Sequence, residues 1–553
     1  MTLGWWSGQT HESVKLAAQA YPGSNPGPST IPLATNQLKF YNHSMRQKLI
    51  LVSLITLSFL FRWYLIRDNH FEFYFQQARD AIVSRSILEN KDLKIQGPSS
   101  SSTNDRLYGG VLYYYVIGPL YTLSHGDPLI PTLGLSLLSS LTVIPIFLIS
   151  KTIFQSRLVG IWASVLYAFS VDAAVVGSWL GAPSLTTWSV PFFHYYLWQS
   201  LFKKQKKFLP LTALFLGISI QTTLYTTYLI GLALAIYLFQ TLKQKNFFFL
   251  GTKNFFKSLA IFFIAISTMI LTQLKLLINH VYQLSDFYIN EGGKPSLMSI
   301  LKNIYNLYLQ KAQLSLLPSF PTLSIVLILI ALIFFLLKKL SSSKKVFFVL
   351  WLFSPLLMFL ITGRASYYSL TGLIPALYLI LSYLLFKQLN QAWLKTFCLS
   401  SITILFIVSN IKSAQQIRQS HSNIFTVQNG AFLSRLLELV DYTYQAADKQ
   451  NFSISTLTSP YKYNTTWAYL YSWYGQQKYG YLPKWVGADQ VGITGSDLLE
   501  KTDQSEPTHF SIYESDPGWL YMFVPEFQKL QQPLGPVKSK INFGTLSLEQ
   551  REK

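Results

Sequence analysis

Long apolar runs recur through most of the chain, and short polar stretches separate them. In a helix, about 20 mainly apolar residues cross roughly 30 Å of hydrocarbon. We therefore predict about 11 membrane-spanning helices, at 48–66, 128–150, 157–176, 183–202, 208–223, 225–241, 257–278, 319–338, 346–362, 367–386 and 395–411. The fifth and sixth meet at a polar stretch, 221–223, where one long broken helix pair is the alternative.

Lysine-rich loops indicate which ends of these helices face the cytoplasm. If the first helix starts inside, every such loop falls on the cytoplasmic side, at 203–207, 243–257, 338–345 and 387–395. The other side then holds two long loops, 67–127 and 279–318. The pattern thus predicts a multi-pass protein of the cytoplasmic (plasma) membrane whose two large loops are extracytoplasmic.

The pattern changes after residue 412. It then predicts a helix, a strand, a second helix and two more strands, at 425–449, 452–457, 465–479, 509–513 and 541–548. We therefore divide the chain into a mainly α membrane domain, 45–412, and a small soluble α/β domain, 413–553. With 11 spans, this second domain is extracytoplasmic.

Composition supports a membrane protein. Half of the 553 residues are hydrophobic and 12% are charged, whereas soluble domains carry about 25% charged residues. The net charge of +21 comes largely from the short loops, so membrane topology accounts for it and we expect no nucleic-acid partner. Cys398 is the single cysteine, which excludes a disulfide within the chain.

The first 44 residues differ from the rest. They are rich in Gly, Pro and Ser and lack the apolar core of a signal peptide. Met45 stands directly before the first apolar run. We therefore expect Met45 to be the natural start, and we treat 1–44 as a leader of doubtful status, an artefact of start-site choice.

A polar face opens the first long loop. If residues 71–85 form a helix, Glu72, Gln76, Arg79 and Asp80 share one side of it. A carboxylate at a membrane boundary can act as a general base, and an arginine beside it can hold a phosphate. The alternative is a solvated surface with a charge pair worth a few tenths of a kcal/mol.

Short motifs connect this loop with a known family. Residues 75–81 read F-Q-Q-A-R-D-A and residues 109–115 read G-G-V-L-Y-Y-Y. Weaker matches are W-L-G-A-P-S at 179–184, Q-L-K-L-L-I-N-H at 273–280, and Tyr367 and Tyr368 with Pro375. Together with the many spans, they resemble glycosyltransferases of the GT-C fold. The chain is most similar to the superfamily of protein mannosyltransferases and lipid A aminoarabinose transferases (bacterial glycosyltransferase family 39-like membrane proteins).

The resemblance implies a fold and a reaction. A GT-C enzyme of this kind moves a sugar, with inversion, from a polyprenyl-phosphate donor to an extracytoplasmic acceptor, which is a lipid, a protein or a glycan. A loop carboxylate serves as the base. Our first choice for the base is Asp80 and our second is Glu72. Gln76 stands where the family has its aspartate, and a neutral amide cannot accept the proton.

The leaving phosphate and the sugar need further partners. By the resemblance, the candidate substrate-binding residues are Arg79, Arg85, Arg106, Arg364, Tyr367, Asp286 and Glu291, with Lys294 as a further cation. No cofactor is firmly predicted and a divalent metal stays open; His280 is a weak candidate ligand. Asp172, near the outer end of a span, is a candidate to line a cavity.

Two other functions stay open. Loss of the carboxylate at Gln76 fits a GT-C scaffold that binds a lipid-linked glycan, or a partner, without turnover. A transporter of lipid-linked sugars is the third reading. Transporters concentrate polar groups near the middle of the membrane, whereas the spans here are nearly free of charge.

Overall fold

The computed structural model describes residues 31–98, 108–279, 296–362, 367–388, 391–422 and 428–552. Several predicted site residues lie outside these ranges: Arg106, His280, Asp286, Glu291, Lys294 and Arg364. Contacts divide the chain after Ser53, and residues 54–553 form one compact unit. Every contact discussed below lies within that unit.

Helices make up most of the described chain. In order, they are α1 (Ile31–Ile66), α2 (Phe75–Glu89), α3 (Leu112–Leu123), α4 (Leu129–Ser140), α5 (Val143–Ile149), α6 (Arg157–Phe169), α7 (Val171–Gly177), α8 (Thr186–Leu197), α9 (Leu209–Thr222), α10 (Tyr228–Gln244), α11 (Thr252–Ala265), α12 (Ser267–Asn279), α13 (Leu297–Ser315), α14 (Pro321–Leu337), α15 (Ser342–Phe353), α16 (Pro355–Thr362), α17 (Ile374–Gln388), α18 (Ala392–Ser420), α19 (Leu433–Ala446), α20 (Thr465–Leu470), α21 (Gln476–Tyr479) and α22 (Val524–Gln531). Turns of π-helix prolong α5, α8 and α20, at Ser150–Phe154, Trp198–Phe202 and Tyr471–Gly475.

The expected membrane helices are present, but their number differs from the prediction. Within the described residues, five helices are long and apolar enough to span: Met45–Ile66, Leu129–Phe154, Leu224–Gln244, Ser369–Lys387 and Ala392–Ser420. Three bent pairs raise the number to 8 if each pair is one span: α6 with α7, α11 with α12, and α15 with α16. The other three predicted spans are helical but shorter; α9 has 14 residues and α14 has 17. A helical multi-pass membrane protein is confirmed, and the count of 11 is not.

Local chemistry explains two of the bends. Between α6 and α7, which meet at 65°, the Ser170 hydroxyl accepts a hydrogen bond from the Ala173 N–H (3.2 Å) and so caps a new helix start. Between α15 and α16, which meet at 40°, Pro355 has no N–H to continue the helix. Neither interruption is visible in the hydropathy pattern, so the sequence prediction missed both bends.

A five-stranded sheet forms the centre of the C-terminal region. Its strands are β1 (Phe452–Leu457), β2 (Lys484–Trp485), β3 (Thr508–Tyr513), β4 (Val537–Phe543) and β5 (Leu546–Glu552). The spatial order is β2-β1-β3-β5-β4, in which β1, β2 and β3 are parallel and β5 is antiparallel to β3 and β4. The predicted small α/β region is therefore confirmed. The single strand predicted at 541–548 is wrong, because Gly544 (φ +68°) turns the chain there into a β4–β5 hairpin.

The start of the first loop also differs from the prediction. Helix α2 begins at Phe75, and residues 71–73 lie before it, with Glu72 in an isolated bridge. The Phe73 N–H donates to the Ala431 carbonyl (2.9 Å), and the Leu433 N–H donates to the Phe71 carbonyl (2.9 Å). Glu72 and Phe432 thus face each other in a short antiparallel bridge. The predicted helix over 71–85 starts late because this pairing satisfies the backbone of its first residues.

One hydrophobic core joins the membrane helices, the first loop and the C-terminal sheet. Phe73, Ala78, Tyr121, Leu433 and Trp467 are all buried in it. Helices α2 and α3 approach so closely that a Cβ at Gly118 would lie 2.7 Å from the Ser84 carbonyl oxygen. The first loop is therefore held between packed elements on both sides.

Candidate active site

Asp80 is a buried carboxylate in α2, with 6% of its surface exposed. Its Oδ1 accepts from Arg79 Nη2 (2.7 Å) and Nε (3.0 Å) and from the Tyr114 hydroxyl (3.2 Å). Burial raises the pKa of Asp80, and the charge of Arg79 opposes that rise. Asp80 is thus the buried half of an ion pair whose Arg79 side chain is partly exposed, and Tyr114 also supports the pair.

The tyrosines of the second motif lie beside Asp80. Tyr113 and Tyr114 are in the first turns of α3 and are buried, and Tyr121 is buried two turns further along. The Tyr113 and Tyr121 hydroxyls have no hydrogen-bond partner among the described residues. Burial, reinforced by the charge of Asp80, raises the pKa of Tyr113 and Tyr114, so both keep their protons. The motif therefore packs directly against the acidic residue of α2.

Glu72 lies in a different setting, outside the helix and against a cavity. It is 2% exposed and lines a cavity of about 30 Å³. The other lining residues come from the ends of α1, α7 and α18 and from the 432 bridge: Leu65, Ile66, His70, Phe71, Val175, Ser178, Trp179, Ile417 and Phe432. Burial, together with the charge of His421, lowers the pKa of His70 to about 4. His70 is therefore neutral beside Glu72 near pH 7.

The predicted polar face is split. Gln76 is exposed in the first turn of α2, whereas Glu72 and Asp80 are buried. The prediction that these residues share one helical face is wrong, because Glu72 belongs to the extended bridge and not to the helix. The buried amide of this stretch is the next residue, Gln77, whose Nε2 donates to the Leu180 carbonyl (3.1 Å). The catalytic roles of Glu72, Gln76 and Asp80 remain predictions.

The two described arginines of the predicted set are both paired. The Arg79 guanidinium binds Asp80 and lies 5.8 Å from the centre of the Phe75 ring. Arg85 Nε donates to Glu89 Oε1 (2.9 Å) in a partly exposed ion pair. Neither contact tests a role in binding phosphate, which remains a prediction for both.

A second buried charge network was only partly foreseen. Asp172 is fully buried in α7, and its oxygens accept from Lys311 Nζ (2.9 and 2.8 Å) and from the Tyr367 hydroxyl (2.7 Å). The Ser315 hydroxyl also donates to Asp172, at 3.0 Å. Asp172 and Tyr367 were candidates from the sequence, and Lys311 was not. The available signal was the combination of a lysine in α13, Lys311, with an acid inside a predicted span, Asp172, because such an acid needs a cation as partner.

Helix α7 connects the two buried acids. Asp172 is in its first turn, and Ser178 and Trp179, which line the Glu72 cavity, follow its last residue. At 1.5 Å per residue, this places the two sites about 9 Å apart along the helix. Across the described ranges, no group of three or more His, Cys, Asp or Glu side chains is placed to hold a metal ion.

Comparison with known proteins decides the fold. No protein-family model matches the chain, and no curated protein matches it. The crystal structure of ArnT from Cupriavidus metallidurans bound to undecaprenyl phosphate matches with a TM-score of 0.53 at 10% identity, over 90% of this chain and 97% of that chain. The chain has the GT-C fold. ArnT in the apo state matches over the same shares at 12% identity, with a TM-score of 0.49.

At this level of identity the likeness establishes the fold, and the motif-based expectation of a GT-C fold is confirmed. The long apolar helices of the described residues support an integral membrane protein. The motif of α2 and the tyrosines of α3 were found from the sequence alone. Lys311 and the 431–433 bridge were not.

Proposed function

We propose that this protein is a membrane glycosyltransferase that moves a sugar from a polyprenyl-phosphate donor to an extracytoplasmic acceptor. The observation that carries the proposal is the common fold over 90% of the chain with ArnT, a protein solved with undecaprenyl phosphate bound. Buried carboxylates at the membrane boundary, Glu72 and Asp80, supply the chemistry that such a transfer needs.

The lysine-rich loops support the sidedness. With the 11 spans predicted from the sequence, they favour a first loop and a C-terminal region outside the cytoplasm, in the plasma membrane. A polyprenyl chain then lies in the bilayer while its phosphate-linked sugar reaches the first loop. The acceptor is a hydroxyl group of a lipid, a protein or a glycan.

Glu72 is the base that the geometry supports best. The acceptor oxygen attacks the anomeric carbon, the bond from that carbon to the phosphate oxygen breaks, and polyprenyl phosphate leaves with the electron pair. Glu72 takes the acceptor proton. Its position against a cavity beside a neutral His70 supports this role.

Asp80 suits a supporting role better than that of the base. Its Oδ1 already accepts three hydrogen bonds, from Arg79 and Tyr114. In this arrangement Asp80 fixes the guanidinium. Arg79 has five N–H donors, and Asp80 accepts from two of its nitrogens. A donor of Arg79 that Asp80 and Tyr114 leave unused then meets the leaving phosphate.

Donor turnover tests the function. Purified protein in lipid nanodiscs is incubated with a panel of undecaprenyl-phosphate sugars, and the release of undecaprenyl phosphate is followed by mass spectrometry. Parallel reactions with EDTA and with Mg²⁺ decide the open question of a metal. We expect release with at least one donor. Tight donor binding without release by any donor contradicts the proposal and supports the scaffold. Movement of intact donor between leaflets supports the transporter.

A further inference from the structure

Glu514 is a buried carboxylate that the proposed reaction does not use. It directly follows β3, where the central parallel strands β1 and β3 end together at Leu457 and Tyr513. It is 9% exposed. A carboxylate in such a place needs strong hydrogen-bond donors to offset its loss of hydration.

Its partners are all donors. Oε2 accepts from Gln428 Nε2 (3.0 Å) and from the Ser459 backbone N–H (2.9 Å), and Oε1 accepts from the Trp467 indole N–H (2.9 Å). Neither an indole N–H nor a backbone N–H can accept a proton. Gln428 Nε2 also donates to the Ser515 carbonyl (3.2 Å), which fixes the orientation of the amide. The three donors therefore suit an ionised carboxylate, because a protonated one brings an O–H for which none of these donors is an acceptor and accepts the three hydrogen bonds more weakly.

Two of these donors lead to the segment that carries Glu72. On one side, the Gln428 carbonyl accepts from the Ala431 N–H (3.1 Å), and the Ala431 carbonyl accepts from the Phe73 N–H (2.9 Å). On the other side, Trp467 belongs to α20, where Tyr469 packs against Phe73 with ring centres 5.6 Å apart. Through Gln428 and Trp467, Glu514 therefore connects the two parts of the C-terminal region that contact residues 71–73.

We propose that Glu514 is a positioning residue. Its carboxylate binds both Gln428 and Trp467 and so determines the position of Glu72. The inference rests on the proposed function for its catalytic consequence, but its structural part stands apart from turnover. Because the ionised form accepts the three hydrogen bonds more strongly than the neutral form does, residues 71–73 are held less firmly when Glu514 is protonated.

The pH at which this happens follows from the surroundings. Burial raises the pKa of Glu514 to about 7, although its three hydrogen bonds oppose the rise. Titratable and charged groups on the elements packed around it are Arg435, Tyr461, Lys462, Tyr469, Tyr513, Asp516, Glu549 and Arg551, with His70 and His421 against Phe432. None of them appears among the causes of the shift. The loosening is therefore expected as pH falls through about 7.

Two readouts test the proposal on the full-length protein in nanodiscs. The first is the pH profile of kcat/KM for wild type, Glu514→Gln, Glu514→Asp and the exposed control Glu526→Gln. We expect wild type, Glu514→Asp and Glu526→Gln to lose activity as pH falls through about 7. Glu514→Gln is expected to be about tenfold slower at pH 8 and to lack that inflection, with KM for the donor unchanged. An inflection that persists in Glu514→Gln overturns the proposal.

The second readout does not depend on turnover. Hydrogen exchange, corrected for the intrinsic effect of pH, is measured on peptides that cover residues 71–75 and 428–436. We expect faster exchange in Glu514→Gln than in wild type at pH 8, and the same change in Gln428→Leu, which removes the donor and keeps the acid. Unchanged exchange in both variants overturns the proposal. If wild type releases no polyprenyl phosphate, the proposed function fails while this measurement still decides the positioning role.

Discussion

The Phe73 N–H donates to the Ala431 carbonyl at 2.9 Å, and this hydrogen bond joins the first membrane loop to the C-terminal region. Its neighbour in the ladder runs from the Leu433 N–H to the Phe71 carbonyl, also at 2.9 Å. The two bonds fix the backbone on either side of Glu72. The candidate base is thus positioned by the isolated bridge to Phe432 and not by the helix that follows it.

Proline at position 433 tests this ladder. Leu433 is the first residue of α19, where proline fits the helix, and Phe432 before it is extended (φ −97°, ψ 141°), as a residue before proline prefers. Leu433→Pro removes the N–H and the buried side chain, and Leu433→Ala removes only the side chain. We expect turnover about tenfold lower in the proline variant than in the alanine variant. Equal rates for the two would show that the ladder does not position Glu72.

The Asp80 pair should be needed for stability as well as for donor binding. Asp80→Asn leaves the partly buried Arg79 charge without its carboxylate, and the cost is at most the roughly 3 to 5 kcal/mol of breaking a fully buried pair. Tyr114→Phe removes one hydrogen bond and should cost about 1 kcal/mol. Thermal unfolding of both variants in detergent measures the difference. The variant Asp92→Asn removes an exposed carboxylate from the same loop and is the control. If Asp92→Asn lowers Tm as much as Asp80→Asn does, the Asp80–Arg79 pair has no special role in stability.

The Asp172–Lys311 pair makes a similar prediction for the second network. Lys311→Met strands a fully buried carboxylate, so we expect a loss on the order of 3 kcal/mol. Adding Asp172→Asn should recover much of that loss, because the uncompensated charge is then gone. Lys302→Met on the same helix is exposed and should be neutral. A double variant less stable than Lys311→Met alone would contradict a direct pairing.

Glu514 should make stability fall with rising pH. Its folded pKa is about 7 against an ordinary 4.5, so between these values the folded state binds more protons than the unfolded state. The free energy of unfolding therefore falls as pH rises from 4.5 to 7, by an amount on the order of 3 kcal/mol. Because Glu514→Gln cannot ionise, it does not share this loss. The Tm of the variant minus the Tm of wild type should therefore increase from pH 5 to pH 8. A difference that stays constant over that range would mean that Glu514 does not titrate there.

The sequence predicted the parts that depend on local pattern. Apolar runs marked the membrane helices, and the F-Q-Q-A-R-D-A stretch marked α2 and its buried Asp80. Interruptions made by one residue, such as the Ser170 cap and Gly544 in the β4–β5 turn, were missed because they change the chain direction without changing hydropathy. They account for the bent span pair and for the hairpin.

The remaining features depend on partners that are distant in sequence. Glu72 looked like part of a helix because its pairing with Phe432 is not visible in either segment alone. Lys311 was not a candidate, because its pairing with Asp172 joins two segments that are far apart in sequence. For Glu72, a tertiary contact and not local propensity decides where the side chain lies.

The most direct test of the account compares the rates of undecaprenyl-phosphate release by wild type, Glu72→Gln and the exposed control Glu526→Gln, at saturating donor and acceptor. The variant Glu72→Gln keeps the size of the side chain and loses the ability to accept a proton. We expect kcat to fall about 10²- to 10⁴-fold in Glu72→Gln and to stay unchanged in Glu526→Gln. A Glu72→Gln protein that is folded and releases undecaprenyl phosphate at the wild-type rate would contradict the assignment of Glu72 as the base.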